Sequence, residues 1–460
     1  MKKQRTIEND LGRDPIPQLV LRIALPSMLA QFVSVLYSVV DRMYIGNIPQ
    51  VGSLALAGAG VCGPVVTMIG SVAFLVGIGG SPLLSIRMGQ KDQQGAKTVL
   101  ASSFALLSVL SLVLMVLALA TREQALLLFG ASESTLPYAM RYYTIYLLGT
   151  PAALLATGMN QFIICQGFAK KGMQSVMLGA VLNILLDPVF IFGFNMGVAG
   201  AALATILSQL GSCVFALKFL FSKVPPVPIT FGGYNGAIIA RILAMGFTPF
   251  MIIAFDNMMI IALNALLQQY GGAQQGDLLV VAATIAQSFM LVVTMPLGGI
   301  TGGTGSILGY NYGAGRPDRI LQAQKLIFAL GMVYTGIMWL AAQLIPHLFV
   351  QIFSQDPQVM PLAIKAIRIS ASVIVPLAIQ YEVVDGFAGM GMMRYSLPLS
   401  FFRKLVYFVA LFLLPRFFGA ESLFYAEPIS DVLGPLFSLV VYLRCIRWVV
   451  GKPAPTAAKD

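Results

Sequence analysis

Three oxygen-bearing side chains, Asn183, Asp187 and Thr205, interrupt the apolar run "VLNILLDPVFIFGFNMGVAGAALAT". A carboxylate in the hydrocarbon of a bilayer costs roughly 3 kcal/mol on insertion scales, so a chain that keeps one there uses it. Asn183 and Asp187 are four apart and share one helix face. Pro188 has no N–H, which leaves the carbonyl of Ile184 without its helical partner. Carboxylate, amide and free carbonyl within one turn form an oxygen-only set of the kind that binds hard cations. Counting 1.5 Å per residue from the expected helix ends puts Thr205 level with Asp187, and Asp41 in "LYSVVDRMYIG" at a similar depth. The expectation is an ion-coupling site for a proton or for sodium, built from Asp41, Asn183, Asp187 and Thr205. The competing role for Asp41 is a helix cap near the headgroups, paired with Arg42 or Arg141.

Other chemistry is poorly supplied. His347 is the only histidine, and the four cysteines form no CxxC pair, so metal sites and His-based acid–base catalysis lack ligands. In the second half, Asp256 falls mid-helix in "DNMM" beside Met258 and Met259. Flexible Met surfaces and aromatic faces suit flat organic cations of varied shape. Glu382, Asp385, Glu427 and Asp431 receive no assigned role, with solvation or pairing to Arg394 an equal alternative for Asp385. The position matching Asp41 is Asn264, so the ion site reads as specific to the first half.

The elements that must position these groups are membrane helices. Apolar residues make up 58% of the 460 and charged residues 10%, against about 25% charged in soluble domains. Hydropathy and Gly/Pro punctuation give twelve spans: 16–45, 54–86, 98–120, 138–166, 174–194, 198–221, 238–269, 278–310, 320–342, 361–388, 398–416 and 423–445. The basic, then apolar, start has no small-residue cleavage site and reads as a retained first span. With the N-terminus in the cytoplasm, only Arg42, Arg122, Arg141, Lys365, Arg368 and Arg416 of the 29 Lys and Arg fall outside, and Arg403 and Lys404 count as cytoplasmic. The positive-inside rule then fixes both termini in the cytoplasm of a cell (plasma or inner) membrane. The net charge of +11 reports topology and not nucleic-acid binding.

The chain also repeats itself. "GFAKKGM" at 167 returns as "GFAGMGM" at 386, a shift of 219. Gly89 and Asp92 return as Gly315 and Asp318, a shift of 226, and Pro26 returns as Pro249, a shift of 223. Six spans bring the chain back to its starting side, so the two units are parallel. The expected fold is all-α: two six-helix lobes related by a pseudo-two-fold axis normal to the membrane. The lobes are 1–221 and 238–460, joined by the Pro- and Gly-rich linker 222–237.

From "SVVDRMYIG" through "NILLDPVFIFGFNMGVAGAALAT" to "PISDVLG" the chain resembles the multidrug and toxic compound extrusion transporters. Within them it is similar to the DinF-like branch and its MepA-type drug exporters. The resemblance implies a monomeric antiporter without cofactor, exporting small organic cations in exchange for protons, sodium or both. It places the ion cluster on the four residues already singled out, and adds Tyr37 and Asn160 to a substrate cavity with Asp256, Met258 and Met259. Pro26 gives helix one a hinge. The nearest rival is a flippase for lipid-linked precursors, which would need a cationic cavity for pyrophosphate where the buried charges here read as acidic. A major-facilitator transporter would carry a different loop after helix two than "RMGQKDQQGAK", and an acyltransferase would need an interfacial nucleophile or base that this chain does not offer.

Overall fold

In lipid each backbone N–H and C=O must be satisfied within its own segment, which for this composition leaves helices. The computed structural model describes residues 9–49, 51–129, 133, 135–353 and 356–451, and every regular element among them is helical. Its contacts divide the chain into two compact units. The first comprises residues up to Asp14 and Leu25–Phe250, and the second Pro15–Ala24 and Met251 onward. The division falls inside the first helix, α1 (Ile16–Gly46), close to Pro26.

In the first unit, α2 (Gly52–Gly89), α3 (Gln93–Ala120), the short α4 (Arg122–Leu128), α5 (Leu136–Leu148), α6 (Thr150–Ile164), α7 (Ala169–Pro188) and α8 (Val198–Leu220) follow in order. Asp92 starts α3 by accepting from the Gly95 N–H at 2.8 Å, and is itself held by Arg87 at 2.7 Å. α5 and α6 form one span bent by 57° at Gly149, where Pro151 cannot continue the hydrogen-bond ladder. α2 packs on α3, α5 and α6, while α8 packs on α5, α6 and α7. The α7–α8 seam carries a reciprocal bond: Ser175 Oγ donates to the Ser212 carbonyl at 3.1 Å, and Ser212 Oγ to that of Ser175 at 2.9 Å. Interhelical hydroxyl bonds in membranes contribute about 0.6 kcal/mol each. The double variant Ser175→Ala/Ser212→Ala is therefore expected to lose about 1 kcal/mol in detergent unfolding, and an unchanged midpoint would refute that role. The segment after α8 is strapped down, with the Val227 N–H donating to Gln166 Oε1 at 2.8 Å and the Ile229 N–H to the Leu220 carbonyl at 2.9 Å.

A helical stretch from Gly236 to Gly313 breaks at Gly272 (φ 64°, ψ −173°), a conformation only glycine adopts freely. It yields α9 (Gly236–Gly272) and α10 (Leu278–Gly313). The second unit continues with α11 (Pro317–Leu344), α12 (Pro346–Phe353), α13 (Val359–Ser370), α14 (Leu377–Gly389), α15 (Met393–Phe418) and α16 (Ala426–Val450). α14, α15 and α16 pack on one another, with α11 against α14.

Among the described residues ten helices are long and apolar enough to cross a membrane, and the bent pair α5/α6 makes an eleventh. The remaining expected span, 361–388, is divided into α13 and α14 by the turns before Pro376. The repeat is real, but its register differs from the "GFA" match. α3 and α11 are both 28 residues long and start at 93 and 317, an offset of 224. Positive-φ turns follow the same rule, with Lys91 and Gly167 returning as Gly315 and Gly391. The "GFA" identity is thus five residues out of register. Under the structural offset, Asn183 and Asp187 correspond to Tyr407 and Leu411, so the second unit has an aromatic and an aliphatic side chain where the first has its buried amide and acid.

Candidate functional site

α7 buries one stripe made of small residues plus Asn183 and Asp187, which are 1% and 0% exposed. Asn183 Nδ2 donates to Asp187 Oδ1 at 3.3 Å and, at 3.5 Å, to Thr205 Oγ1, whose own hydroxyl donates to the Ala201 carbonyl at 3.0 Å. The four-residue spacing across α7 and the close α7–α8 seam produce this triad. Beyond Pro188 the helix opens into a π turn, Val189–Gly193, which ends where the Phe194 N–H donates to the Val189 carbonyl at 2.9 Å. A missing N–H and a widened turn are two views of the same backbone interruption.

Asp41 on α1 reaches this triad, its carboxyl within hydrogen-bonding reach of that of Asp187. Among the described residues no ion pair joins it to Arg42 or Arg141, while Arg42 lies within its electrostatic reach. Asp41 Oδ1, Asn183 Oδ1 and Asp187 Oδ2 are all buried without a hydrogen-bond partner. Three unmatched oxygens and a hydroxyl converge, and among the described residues no cation is ion-paired to them. Such a set fits either one proton shared by the carboxyls or a sodium ion held by mixed oxygens. No group of three or more His, Cys, Asp or Glu side chains among the described residues suits a transition metal.

Tyrosines lie near the pair. Tyr37, one turn before Asp41 on α1, lies within electrostatic reach of both acids. Tyr142 and Tyr146 on α5 stack at 6.2 Å and 12°, with Tyr142 also within reach of Asp41. Sequence reasoning missed these two. Their four-residue spacing marks a shared face, but nothing in the sequence says which helix that face meets. Asn160 is buried on α6 against Gly172, its Oδ1 unpartnered. Gly172 and Asp187 are fifteen residues apart on α7, about 22 Å, so Asn160 does not join the carboxyl pair.

The second unit holds a different arrangement. Asp256 pairs with Lys404, Met258 is 55% exposed, and Met259 is buried in the apolar core with Leu263 and Phe289. Arg403 binds Asp431 at 2.7 Å. Arg403 and Lys404 therefore leave the cytoplasmic set: they lie ten or more residues into α15, about 15 Å from its start, where their acids compensate them. The buried charges are not all acidic, as the sequence suggested. Asp385 accepts from Thr301 at 2.5 Å, while Arg394 lies over the Tyr395 and Trp448 rings. Both oxygens of Glu382 are buried and unpartnered.

The family model described as MatE matches residues 26–189 and again 253–413. This chain belongs to the MatE family. As a MatE protein it is a multi-span membrane transporter and not an enzyme. It is 25% identical over 447 residues to the multidrug export protein MepA of Staphylococcus aureus (strain MRSA252), covering 95% of this chain and 96% of that one. Crystal structures of MATE in the straight and bent conformations superpose with TM-scores of 0.89 and 0.86 at 22% and 24% identity. They cover 98% and 97% of this chain and 100% and 99% of theirs. The MatE chain thus has the twelve-helix, two-lobe fold of those transporters, with the split α13/α14 completing the count.

Proposed function

We propose that this transporter is a multidrug efflux antiporter that exports cationic amphiphilic compounds in exchange for protons, sodium or both. The observation that carries the reading is the Asp41–Asp187 pair, two neighbouring carboxyls with unmatched oxygens and, among the described residues, no ion-paired cation. Two such acids in low dielectric do not both stay ionised cheaply, so the site takes a positive charge. Asp41, Asn183, Asp187 and Thr205 hold the coupling ion, and Tyr37, Tyr142 and Tyr146 offer aromatic faces to a passing organic cation. In the second unit, Asp256 supplies a half-exposed carboxylate to the substrate, with Met258 and Met259 beside it. Pro26 is the hinge of α1, and the division of that helix between the two units beside it supports this role. The lobes 1–221 and 238–460, joined by 222–237, alternate in access as a monomer in the cell membrane, both termini cytoplasmic. The S. aureus relative is named a multidrug export protein, which supports export of drugs. A flippase for anionic headgroups finds little support, because Arg403 and Lys404 are already neutralised by acids.

The test is efflux of ethidium from proteoliposomes under an imposed pH gradient, then under a sodium gradient. Acceleration by at least one gradient is expected. Rates equal to protein-free liposomes under both would end the antiport reading.

A further inference from the structure

Five ionisable groups of the second unit form one network: Asp256 on α9, Arg403 and Lys404 on α15, Glu427 and Asp431 on α16. Arg403 is committed to Asp431, which accepts from Nε at 2.8 Å and Nη2 at 2.7 Å, and approaches Glu427 only to 3.6 Å. Lys404 holds Asp256, and Glu427 and Asp431 lie within its electrostatic reach. Among the described residues, the ionisable Tyr381 and Tyr407 also face the network. Three carboxylates against two cations leave room for one more positive charge.

The two ion pairs differ in how readily they can exchange partners. Asp431 is fully buried, so breaking its pair, in which Nε and Nη2 of Arg403 both meet Oδ1, would strand a charge in low dielectric. The Asp256 side chain is 47% exposed while that of Lys404 is 8% exposed. A pair with one partner open to exchange is weakly held. An ammonium on a four-carbon stem can turn from Asp256 to Glu427 without leaving the network.

We propose that Lys404 is a tethered cation that occupies Asp256 until the positive charge of a substrate displaces it towards Glu427, making Lys404 a determinant of affinity for cationic compounds. The inference rests on the cation-export reading above. It assigns to Lys404 the role of an internal competitor, so removing its charge strengthens binding where removal of an ordinary structural ion pair would weaken it.

The experiment measures ethidium binding by fluorescence anisotropy to the full-length chain in nanodiscs. Lys404→Met keeps the aliphatic length and is expected to tighten binding about tenfold. Asp256→Asn should weaken binding in the wild type and erase the gain in the Lys404→Met background. Lys404→Arg keeps the charge but can pair bidentately with Asp256, so its binding should be weaker than wild type; this variant remains informative if the Met variant fails to fold. Folded Lys404→Met with affinity at or below wild type, or Lys404→Arg binding more tightly than wild type, overturns the inference. A wild type that binds and exports ethidium alongside an unaltered Lys404→Met sinks this inference alone. Absence of ethidium binding and export in both sinks the export reading and the inference with it.

Discussion

Asp187→Asn and, separately, Asp41→Asn are expected to reduce gradient-driven ethidium efflux to the rate of protein-free liposomes. Each amide has the shape of a protonated carboxyl, so α7 keeps its packing and Asn183 still has an acceptor at position 187. The ability to alternate between a charged and a neutral state is lost. In the proposed antiport, one carboxylate charge attracts the organic cation, and arrival of a proton or sodium ion cancels it. That exchange is what would couple the two flows under this proposal. Removing one acid also removes the repulsion that makes the other take up an ion. A transporter fixed in the neutral state has a site but no coupling. Comparison at equal reconstituted protein checks this, with detergent unfolding to confirm that both variants are folded. Wild-type rates in both variants would show that the coupling site lies elsewhere, with Glu382 the next acid to test, since both its oxygens are buried and unpartnered.

Gly246→Ala is expected to destabilise the first unit by about 3 kcal/mol or more, and Gly246→Leu to yield no monodisperse protein. A Cβ at Gly246 would fall 1.7 Å from the carbonyl oxygen of Leu75 on α2, and one at Gly79 would fall 2.4 Å from that of Ile242 on α9. Membrane helices approach this closely only where both surfaces lack side chains, because packing replaces the hydrophobic effect as the force between them. Overpacking costs about 1–3 kcal/mol when a side chain can move aside. Here the obstacle is backbone, so the whole crossing must shift. Gly60 is the control: it lies on α2 with open space around its Cβ position, so Gly60→Ala should match or slightly exceed wild type. Unfolding midpoints in detergent read both, and a Gly246→Ala midpoint equal to wild type would refute the crossing.

The sequence by itself determined the helices and the first-unit acids. Lipid forces every backbone polar group into helical bonds, so length and hydropathy were enough to place the spans, with ends close to those of α1, α8 and α11. Asn183, Asp187 and Thr205 were legible because a four-residue spacing and a depth count are local quantities, and the expected triad is the one hydrogen-bonded in the fold. Asp41 followed from depth alone. What depended on which helix faces meet was not legible. Tyr142 reaches Asp41, and Tyr146 reaches Tyr37, only because α5 is brought towards α1, whereas Asn160, on the continuation of the same bent span, lies against the far end of α7. Arg403 and Lys404 read as cytoplasmic because hydropathy penalises a charge without seeing its partner. Their acids sit on other helices, α9 and α16, and the tertiary fold alone makes their burial affordable. The repeat register was misread for a related reason: "GFA" is a short identity among Gly-rich helices, whereas helix lengths and positive-φ turns are fixed by packing and mark the true offset.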